Sequence, residues 1–385
     1  MNSSFSGANL NNIKDMNYSA VLNTIYGNRG ISRTDIAVAT EMSCAFVTKV
    51  LSRLTALDIV LESKTSVTDR GRPKVSLEFN YRKYVMAGLR INTKYVSAAL
   101  CTANGEMLCH YSCDLDTEDK GEIIYQKCVK VLKDALSNTD KQILLGIGIA
   151  VPGPVPIERD RVTATSFNRL RDFEKIPLVK RLEEEFLLPV TLLHDAQCGA
   201  LTEYLFGEGE KYNNIVFITS DTGVGAGIIL DGKPYSGSAG LAGEVSKMII
   251  GEDGKFIPVD SVLAYTSLMS ECGFETIEEV IDEAKKGNLK CLDYIDKTIR
   301  YLSVVVANLI PILSPQAVIL SEKIAMYPER LEKISNEMLD SLLPELYRDS
   351  FELIVRPYTK HLVLRGACGA VLHKAFEEPS KYFSV

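Results

Sequence analysis

The amino-acid sequence predicts an α/β protein in which a small, mainly helical N-terminal module precedes a larger domain of two α/β lobes. Three amphipathic helical patterns precede two strand-like segments in the first 80 residues, and after Tyr84 strand and helix patterns alternate. A chain of 385 residues is long enough for two or three domains with cores of their own. We therefore assign residues 1–81 to the module, 82–194 to the first lobe together with a C-terminal helix at 365–385, and 195–364 to the second lobe.

Composition narrows the class of protein and its compartment. The chain is 46% hydrophobic and 24% charged, which is typical of a globular protein. It contains neither a signal-peptide pattern nor an apolar run of about eighteen residues, so we expect a cytoplasmic protein without a membrane span. Nine cysteines are scattered from Cys44 to Cys368, which favours a reducing compartment over a disulfide framework.

The first two helices of the module are marked by apolar periodicity and by a cap. The first pattern covers residues 17–26. The second begins at Ser32, which suits an N-cap with Asp35 three residues later. The residues expected to be buried in these two helices are Val21, Leu22, Ile25, Ile36 and Ala39.

The third helix, expected at 44–57, has two chemically different faces. One face is an apolar stripe with helical spacing, formed by Val47, Val50, Leu51 and Leu54. The opposite face begins with small and polar residues and continues with cations, which suits insertion into the major groove of DNA. The candidate DNA-binding residues on this helix are Cys44, Ala45, Thr48, Lys49 and Arg53. The alternative is a solvated helix face in a three-helix bundle.

Two strand patterns, at 59–61 and 75–79, complete the module as a winged helix-turn-helix. The loop between them carries Arg70 and Arg72, which would reach phosphates or the minor groove from the tip of a wing. Residues 1–80 hold nine Lys or Arg against seven Asp or Glu, which leaves 34 against 43 in the rest of a chain whose net charge is -7. The N-terminal 80 residues are therefore not acidic, whereas the rest of the chain is, so DNA binding is expected in the N-terminal module.

The remaining patterns predict two lobes with mixed sheets. In the first lobe, strands are expected at 85–91, 96–101 and 144–150 and a helix at 123–136. In the second lobe, helices are expected at 262–283 and 294–313 and strands at 317–320 and 353–356. Residues 221–227, Asp-Thr-Gly-Val-Gly-Ala-Gly, predict a tight turn between two buried strands, where glycines would let backbone N–H groups approach an anion. A glycine turn that only packs against a neighbouring element is the open alternative.

Four segments resemble, in order, the signature segments of the ROK family, which contains bacterial repressors and sugar kinases. They are residues 145–155 (LGIGIAVPGPV), 193–201 (LHDAQCGAL), 221–227 (DTGVGAG) and 240–244 (GLAGE). The resemblance covers nearly all of the chain after Tyr84 and implies an actin-like, hexokinase-type fold of two lobes. The N-terminal module resembles the winged helix of the family's repressor branch, which includes xylose-type regulators.

The resemblance also shows where this chain departs from the family's kinases. Arg90 stands where a kinase has the aspartate that orients the metal of ATP, and Asn92 stands where a glycine admits phosphate. Asp221 replaces a small residue and would repel phosphate, while Ser321 and Glu322 replace a glycine pair beside the adenosine. Residues 227–233 match Gly-x-x-x-x-Gly-Lys without the following Ser or Thr, so we interpret 231–232 as a hairpin turn. We expect no ATP site and no kinase activity.

The residues of the sugar pocket implied by the resemblance match the family more closely than those of the ATP site. Asp195 matches the family's general base and Glu244 a carboxylate that binds sugar hydroxyls. Around them, His194 replaces an asparagine, Lys247 a histidine and Leu263 a glutamate, and Asn168 is a further candidate ligand contact. The sequence predicts a modified pocket for a sugar or sugar derivative, or, alternatively, two carboxylates kept as structural hydrogen-bonding groups.

A zinc site, common in the family, is not expected in this chain. Residues 251–264 contain no cysteine, and Lys247 stands in place of the histidine ligand. Cys109, His110 and Cys113 lie close together in the sequence, but they occupy a strand and lack a second ligand pair, so we interpret their proximity as coincidence.

The resemblance, together with the N-terminal module, implies a DNA-binding repressor of carbohydrate-metabolism genes with a catalytically inactive sugar-kinase-like effector domain. Its expected partners are operator DNA, a sugar or sugar-derivative effector and a second copy of the chain, since two half-sites are read by a two-fold dimer. Two alternatives stay open. One is an active ATP-dependent sugar kinase with an added DNA module, and the other is a repressor controlled by docking to another protein.

Overall fold

The structure is a computed structural model that describes residues 10–64, 75–139, 141–155, 170, 172–220, 223–252, 254–263 and 272–385. Four residues singled out in the sequence lie outside these ranges. They are Arg70, Arg72, Asn168 and Asp221.

Three helices and a hairpin form the N-terminal module, as the sequence predicts. They are α1 (Leu10–Gly27), α2 (Arg33–Ala39), α3 (Cys44–Ala56) and the antiparallel strands β1 (Val60–Lys64) and β2 (Val75–Phe79). The side chains of Ser32 and Ser43 cap α2 and α3 by accepting backbone N–H bonds. Two details of the prediction are wrong. α1 begins at Leu10 and not at residue 17, and α2 buries Ala37 where Ala39 was expected, because Ala39 ends the helix and stays exposed.

The first sheet has five strands in the order β5-β4-β3-β6-β7. They are β3 (Tyr84–Ile91), β4 (Tyr95–Thr102), β5 (Met107–Asp114), β6 (Ile143–Val151) and β7 (Val190–His194), with α4 (Gly121–Leu136) and α5 (Leu178–Phe186) between them in the chain. Strands β3, β6 and β7 are parallel, and β4 and β5 form an antiparallel extension. The carboxyl ends of the parallel strands therefore meet at one edge, the usual place for a ligand in such sheets.

The second sheet has the order β10-β9-β8-β13-β14. It is preceded by α6 (Asp195–Phe206) and is formed by β8 (Ile215–Ser220), β9 (Val224–Leu230), β10 (Lys233–Pro234), β13 (Ala317–Glu322) and β14 (Glu352–Val355), while β11 (Ile249–Glu252) and β12 (Lys255–Pro258) make a separate hairpin. β8 and β9 are buried, antiparallel neighbours, as the sequence predicts, while residues 221 and 222 of the predicted turn lie outside the described residues.

Five helices pack beside the second sheet within the described residues. They are α7 (Asp260–Leu263), α8 (Ile277–Lys285), α9 (Leu289–Leu313), α10 (Pro328–Leu342) and α11 (Glu345–Arg348). The expected single helix over 262–283 is wrong. Gly273 has a φ of 80°, and Thr276 and Glu279 form a capping box that starts α8 anew.

The chain ends in α12 (Leu362–Glu377) and α13 (Pro379–Phe383) and not in the single helix expected at 365–385, because Pro379 lacks the N–H that a continuing helix needs. α12 lies against the first sheet and α6 at two points of direct backbone contact. A Cβ added at Gly148 would lie 1.8 Å from the carbonyl oxygen of Ala367, and one added at Gly366 would lie 1.7 Å from that of Cys198. Only glycine permits these approaches.

Aromatic rings attach the N-terminal module to the end of α12. The ring of Phe376 lies 5.3 Å from the rings of both Tyr26 and Phe79, and the ring of Phe383 lies 5.2 Å from that of Tyr84. These side chains belong to one buried cluster that also contains the apolar stripe of α3. The module thus shares its hydrophobic core with the C-terminal helices.

Candidate functional site

The face of α3 that the sequence assigns to DNA is exposed. Its four buried residues are those of the predicted apolar stripe, Val47, Val50, Leu51 and Leu54. The candidate DNA-binding residues, all exposed, are Cys44, Ala45, Thr48, Lys49 and Arg53. A helix with one buried stripe and one exposed polar face, supported by two further helices, has the form that inserts into a major groove.

Two candidate residues of α3 have hydrogen bonds within the protein. Thr48 Oγ1 donates to the carbonyl oxygen of Cys44 at 2.8 Å, and Arg53 Nη2 donates to the carbonyl oxygen of Ser384 at 3.0 Å. Arg53 therefore links α3 to the end of the chain. Phe46, which sequence reasoning missed, is exposed near the start of α3, where its ring is available for apolar contact with a thymine methyl group.

The candidate sugar pocket begins where β7 passes directly into α6. His194 is the last residue of β7 and Asp195 the first of α6. His194 Nε2 and Asp195 Oδ1 are 3.0 Å apart, and their side chains retain 13% and 26% of their accessible surface. The imidazole thus lies beside the carboxylate, as a partner for a partly buried charge should, and the carboxylate keeps surface that a ligand can reach.

Glycines of β9 bring the second sheet close to this helix start. A Cβ added at Gly225 would lie 3.2 Å from His194 Cε1, and one added at Gly227 would lie 2.1 Å from the carbonyl oxygen of Ala196. These two glycines lie in β9 and permit close packing against α6, which supports the packing alternative for them.

The segment of Glu244 contacts β9 at Ala226, the residue after Gly225. The N–H of Ala226 donates to the carbonyl oxygen of Gly243 at 2.8 Å. Gly243 has a φ of 91°, and a Cβ there would lie 2.0 Å from the carbonyl oxygen of Ala226. The residues next to Asp195 and Glu244 in the chain, His194 and Gly243, therefore contact β9 at Gly225 and Ala226 respectively.

Lys247 and Leu263, two further positions of the predicted pocket, lie in different surroundings. Lys247 Nζ forms an ion pair with Asp260 Oδ2 at 2.6 Å, with 59% of the lysine side chain exposed. Leu263 is buried in the core of the second lobe. Asn168 lies outside the described residues. The structure thus brings together His194, Asp195 and the segment of Glu244, while Lys247 is engaged at the surface.

The turn between β3 and β4 is closed by its own side chain. Asn92 Oδ1 accepts the N–H of Lys94 at 3.1 Å, and the N–H of Asn92 donates to the carbonyl oxygen of Tyr95 at 2.9 Å. This is a local Asx-type turn. Just before it, Arg90 is half-buried between Ser97 of β4 and Ala150 of β6.

Arg90 and Asp195 act on the same buried thiol. Burial raises the pKa of Cys198, the nearby carboxylate of Asp195 raises it further, and the guanidinium of Arg90 lowers it. Cys198 lies one turn after Asp195 in α6, so the cation of β3 and the start of α6 lie on the same side of the first sheet.

Two further positions compared with the kinases, at the end of β13 and between β9 and β10, have the following local structure. Ser321 is fully buried, and its hydroxyl has no hydrogen-bond partner among the described residues. Lys323 Nζ pairs with Glu278 Oε1 at 2.8 Å. Asp231 and Gly232 have φ values of 50° and 74°, so the predicted hairpin turn between β9 and β10 is confirmed.

Cys109, His110 and Cys113 do not converge on a point. Cys109 and Cys113 pack against the core beneath α4, whereas the ring of His110 lies 4.1 Å from the ring of His361 at the start of α12. Within the described residues, no three His, Cys, Asp or Glu side chains are grouped as metal ligands would be. In the same part of the chain, every helix is too short or too polar to cross a bilayer.

Comparison with known proteins adds four findings, two from sequences and two from solved structures. The model of the ROK family matches residues 86–374. A xylose repressor from Caldicellulosiruptor bescii is 27% identical over 376 residues, which cover 89% of this chain and 92% of that protein.

Two solved structures are similar. A ROK family transcriptional regulator, a homologue of the E. coli MLC protein, matches with a TM-score of 0.81 and 22% identity, covering 97% of this chain and 100% of that chain. A ROK family glucokinase from Streptomyces griseus, in complex with glucose and AMPPNP, matches with a TM-score of 0.63 and 19% identity, covering 74% of this chain and 98% of that chain.

Proposed function

The chain belongs to the ROK family, and from that premise we propose that it is a repressor of carbohydrate-metabolism genes, controlled by a sugar or sugar derivative bound between its lobes. The observation that carries the proposal is the exposed polar face of α3 on a module that shares its core with the rest of the chain. The resemblance to a ROK regulator over 97% of the chain supports it.

The same site argues for binding without phosphoryl transfer. Transfer from ATP needs a carboxylate to hold the metal and backbone groups to cradle phosphate. Arg90 supplies a positive charge where the metal would be held, and the Asn92 turn has already used its backbone and side-chain groups internally. Asp195 keeps a partner and an exposed surface, as a contact for a sugar hydroxyl requires.

α12 provides a route from the pocket to the DNA-binding face. Its first half packs directly against β6 and α6, and Phe376 near its end packs under α1 and β2. A ligand that favours one arrangement of the lobes would thereby favour one placement of α3. We place the dimer interface mainly in the second lobe, so that two modules can read two half-sites. A monomer at micromolar concentration in sedimentation equilibrium would contradict this arrangement.

The DNA-binding part is tested by selecting a binding sequence from random duplexes and comparing two lysine variants. Lys49→Ala should weaken binding and lower the slope of log affinity against log salt by about one, because one phosphate contact is lost. Lys133→Ala removes an exposed cation of α4, which pairs with Glu185 at 2.6 Å, and serves as the control. Equal binding by both variants would remove α3 from the interface.

The enzyme alternative is tested by a coupled assay with ATP, Mg²⁺ and a panel of hexoses and pentoses. We expect no turnover, together with sugar-dependent protection against thermal unfolding by the ligand that fits the pocket. Asp195→Asn should abolish that protection. Turnover that depends on Asp195 would overturn the repressor-only proposal.

A further inference from the structure

A group of nitrogen-bearing side chains surrounds the start of α12, outside the pocket described above. His361 caps α12 by position only, because its side chain makes no capping bond. Its ring lies 4.1 Å from that of His110 on β5. No ring nitrogen of His110 or His361 forms a hydrogen bond within the described residues, so both imidazoles keep donor and acceptor capacity.

The sheet places Arg90 on the same face as this histidine pair. Gly88 of β3 lies under α12, since a Cβ there would be 2.7 Å from the carbonyl oxygen of Leu364. Side chains two residues apart on a strand share a face, so Arg90 points to the same side. His110 opposes Ala99 on β4, and Ala99 opposes Gly88 on β3, which puts His110 on that face too.

The charges acting on the two rings are cationic. Burial, followed by Lys360, lowers the pKa of His110. Burial, followed by His110, Lys360 and Arg90, lowers the pKa of His361 to about 4. Such surroundings oppose a metal cation and favour an anion. His361 also holds a φ of 72°, a costly conformation for a residue with a side chain and one that often marks a binding site.

We propose that Arg90, His110, Lys360 and His361, with the first N–H groups of α12, form a binding site for a phosphate group. The site offers a guanidinium, an ammonium and two imidazoles around one helix start, and a phosphate accepts hydrogen bonds from all of them. The group bound is a phosphate monoester or free orthophosphate. α12 contacts α6 at Gly366 and Cys198, one turn after Asp195, so a phosphorylated sugar is the ligand that we expect to reach both sites, and this choice of ligand rests on the proposed function.

Histidine NMR tests the site directly, because the chain has only four histidines. Their ring C–H signals are followed from pH 4 to 8 in sodium phosphate and in sodium chloride of equal ionic strength. Bound phosphate favours the protonated rings, so the pKa values of His110 and His361 should rise by about 1 in phosphate. That of His373 should stay the same in both salts. Equal titration of all four rings in the two salts would overturn the proposal.

Calorimetry with variants assigns the residues and the ligand. His361→Asn keeps a residue that tolerates the same φ, and it should weaken orthophosphate binding at least tenfold, as should Arg90→Gln. Lys333→Gln, which removes a cation of α10 that is 75% exposed and belongs to neither proposed site, is the control. Wild-type affinity in both His361→Asn and Arg90→Gln, with circular dichroism unchanged, would refute the assignment.

Glucose 1-phosphate, glucose 6-phosphate, glucose and orthophosphate then distinguish the sources of the phosphate group. Tighter binding of a sugar phosphate than of orthophosphate identifies a monoester ligand, and equal binding identifies the free ion. Loss of the sugar-phosphate advantage in Asp195→Asn, with orthophosphate binding kept, shows that the ligand spans both sites. If DNA binding fails but these phosphate results hold, the repressor proposal is wrong and the phosphate site stands.

Discussion

Replacing Phe376 with alanine should loosen the N-terminal module from the rest of the chain. Phe376 is 2% exposed, and its ring lies 5.3 Å from the rings of Tyr26 in α1 and Phe79 in β2. Truncation of a buried phenylalanine costs about 3–5 kcal/mol, of which each aromatic pair accounts for about 0.5–1.5 kcal/mol. Because both partner rings belong to the module, this loss should fall largely on the interface between module and lobes.

Scanning calorimetry and operator binding measure the effect. We expect a separate, lower-temperature transition for the module and weaker operator binding, although no residue of the exposed face of α3 has changed. Phe256→Ala is the matched control, since Phe256 is 86% exposed and such substitutions stay within about 0.5 kcal/mol. A melting profile and operator affinity equal to those of Phe256→Ala would refute the role of the aromatic interface.

Two further predictions concern stability. Gly366→Ala should lower the melting temperature, because its Cβ would lie 1.7 Å from the carbonyl oxygen of Cys198 and overpacking costs about 1–3 kcal/mol or more. Gly251→Ala, whose Cβ would have no atom within 4 Å, should melt like wild type. Equal melting temperatures of the two variants would contradict the close contact. The free energy of unfolding should also fall as the pH drops from 6.5 toward 4, because burial lowers the pKa of His373 and of His361, the latter to about 4, so the unfolded chain takes up protons first. Urea unfolding at several pH values measures this dependence, which should be smaller in His373→Asn. A free energy of unfolding that does not change with pH in the wild type would contradict the prediction.

The elements that the sequence predicted well are those determined by local chemistry. The stripe of α3 came out as expected because four apolar residues at helical spacing leave only one orientation over a core. The start of α2 was predicted correctly because the side chain of Ser32 accepts the backbone N–H of Asp35. Asp231 and Gly232 predicted a hairpin because both must adopt positive φ, and both do.

The errors arise where tertiary contacts or chain breaks decide the outcome. A helical period runs through 262–283, but Gly273 and the capping box at Thr276 restart the helix. The C-terminal helix expected at 365–385 is divided in the same way, because Pro379 starts α13.

The phosphate site could not have been found from the sequence for a related reason. His110 and His361 are 251 residues apart, since 361 minus 110 is 251, and neither lies in a recognisable motif. Their contact exists because β4 and β5 extend the sheet beyond β3 and because α12 starts above that extension. The one sequence signal was Arg90, an unexpected cation at the carboxyl end of a strand where such sheets bind ligands.

α12 connects the proposed phosphate site to the N-terminal module. Its 16 residues span about 24 Å, from His361 beside Arg90 to Phe376 under the module. Backbone contacts at Gly148 and Gly366 fix it against both β6 and α6. A charge bound at its first turn therefore acts on one end of a stiff element whose other end carries the DNA-binding module, and a ligand needs only a differential contact there to bias the position of α3.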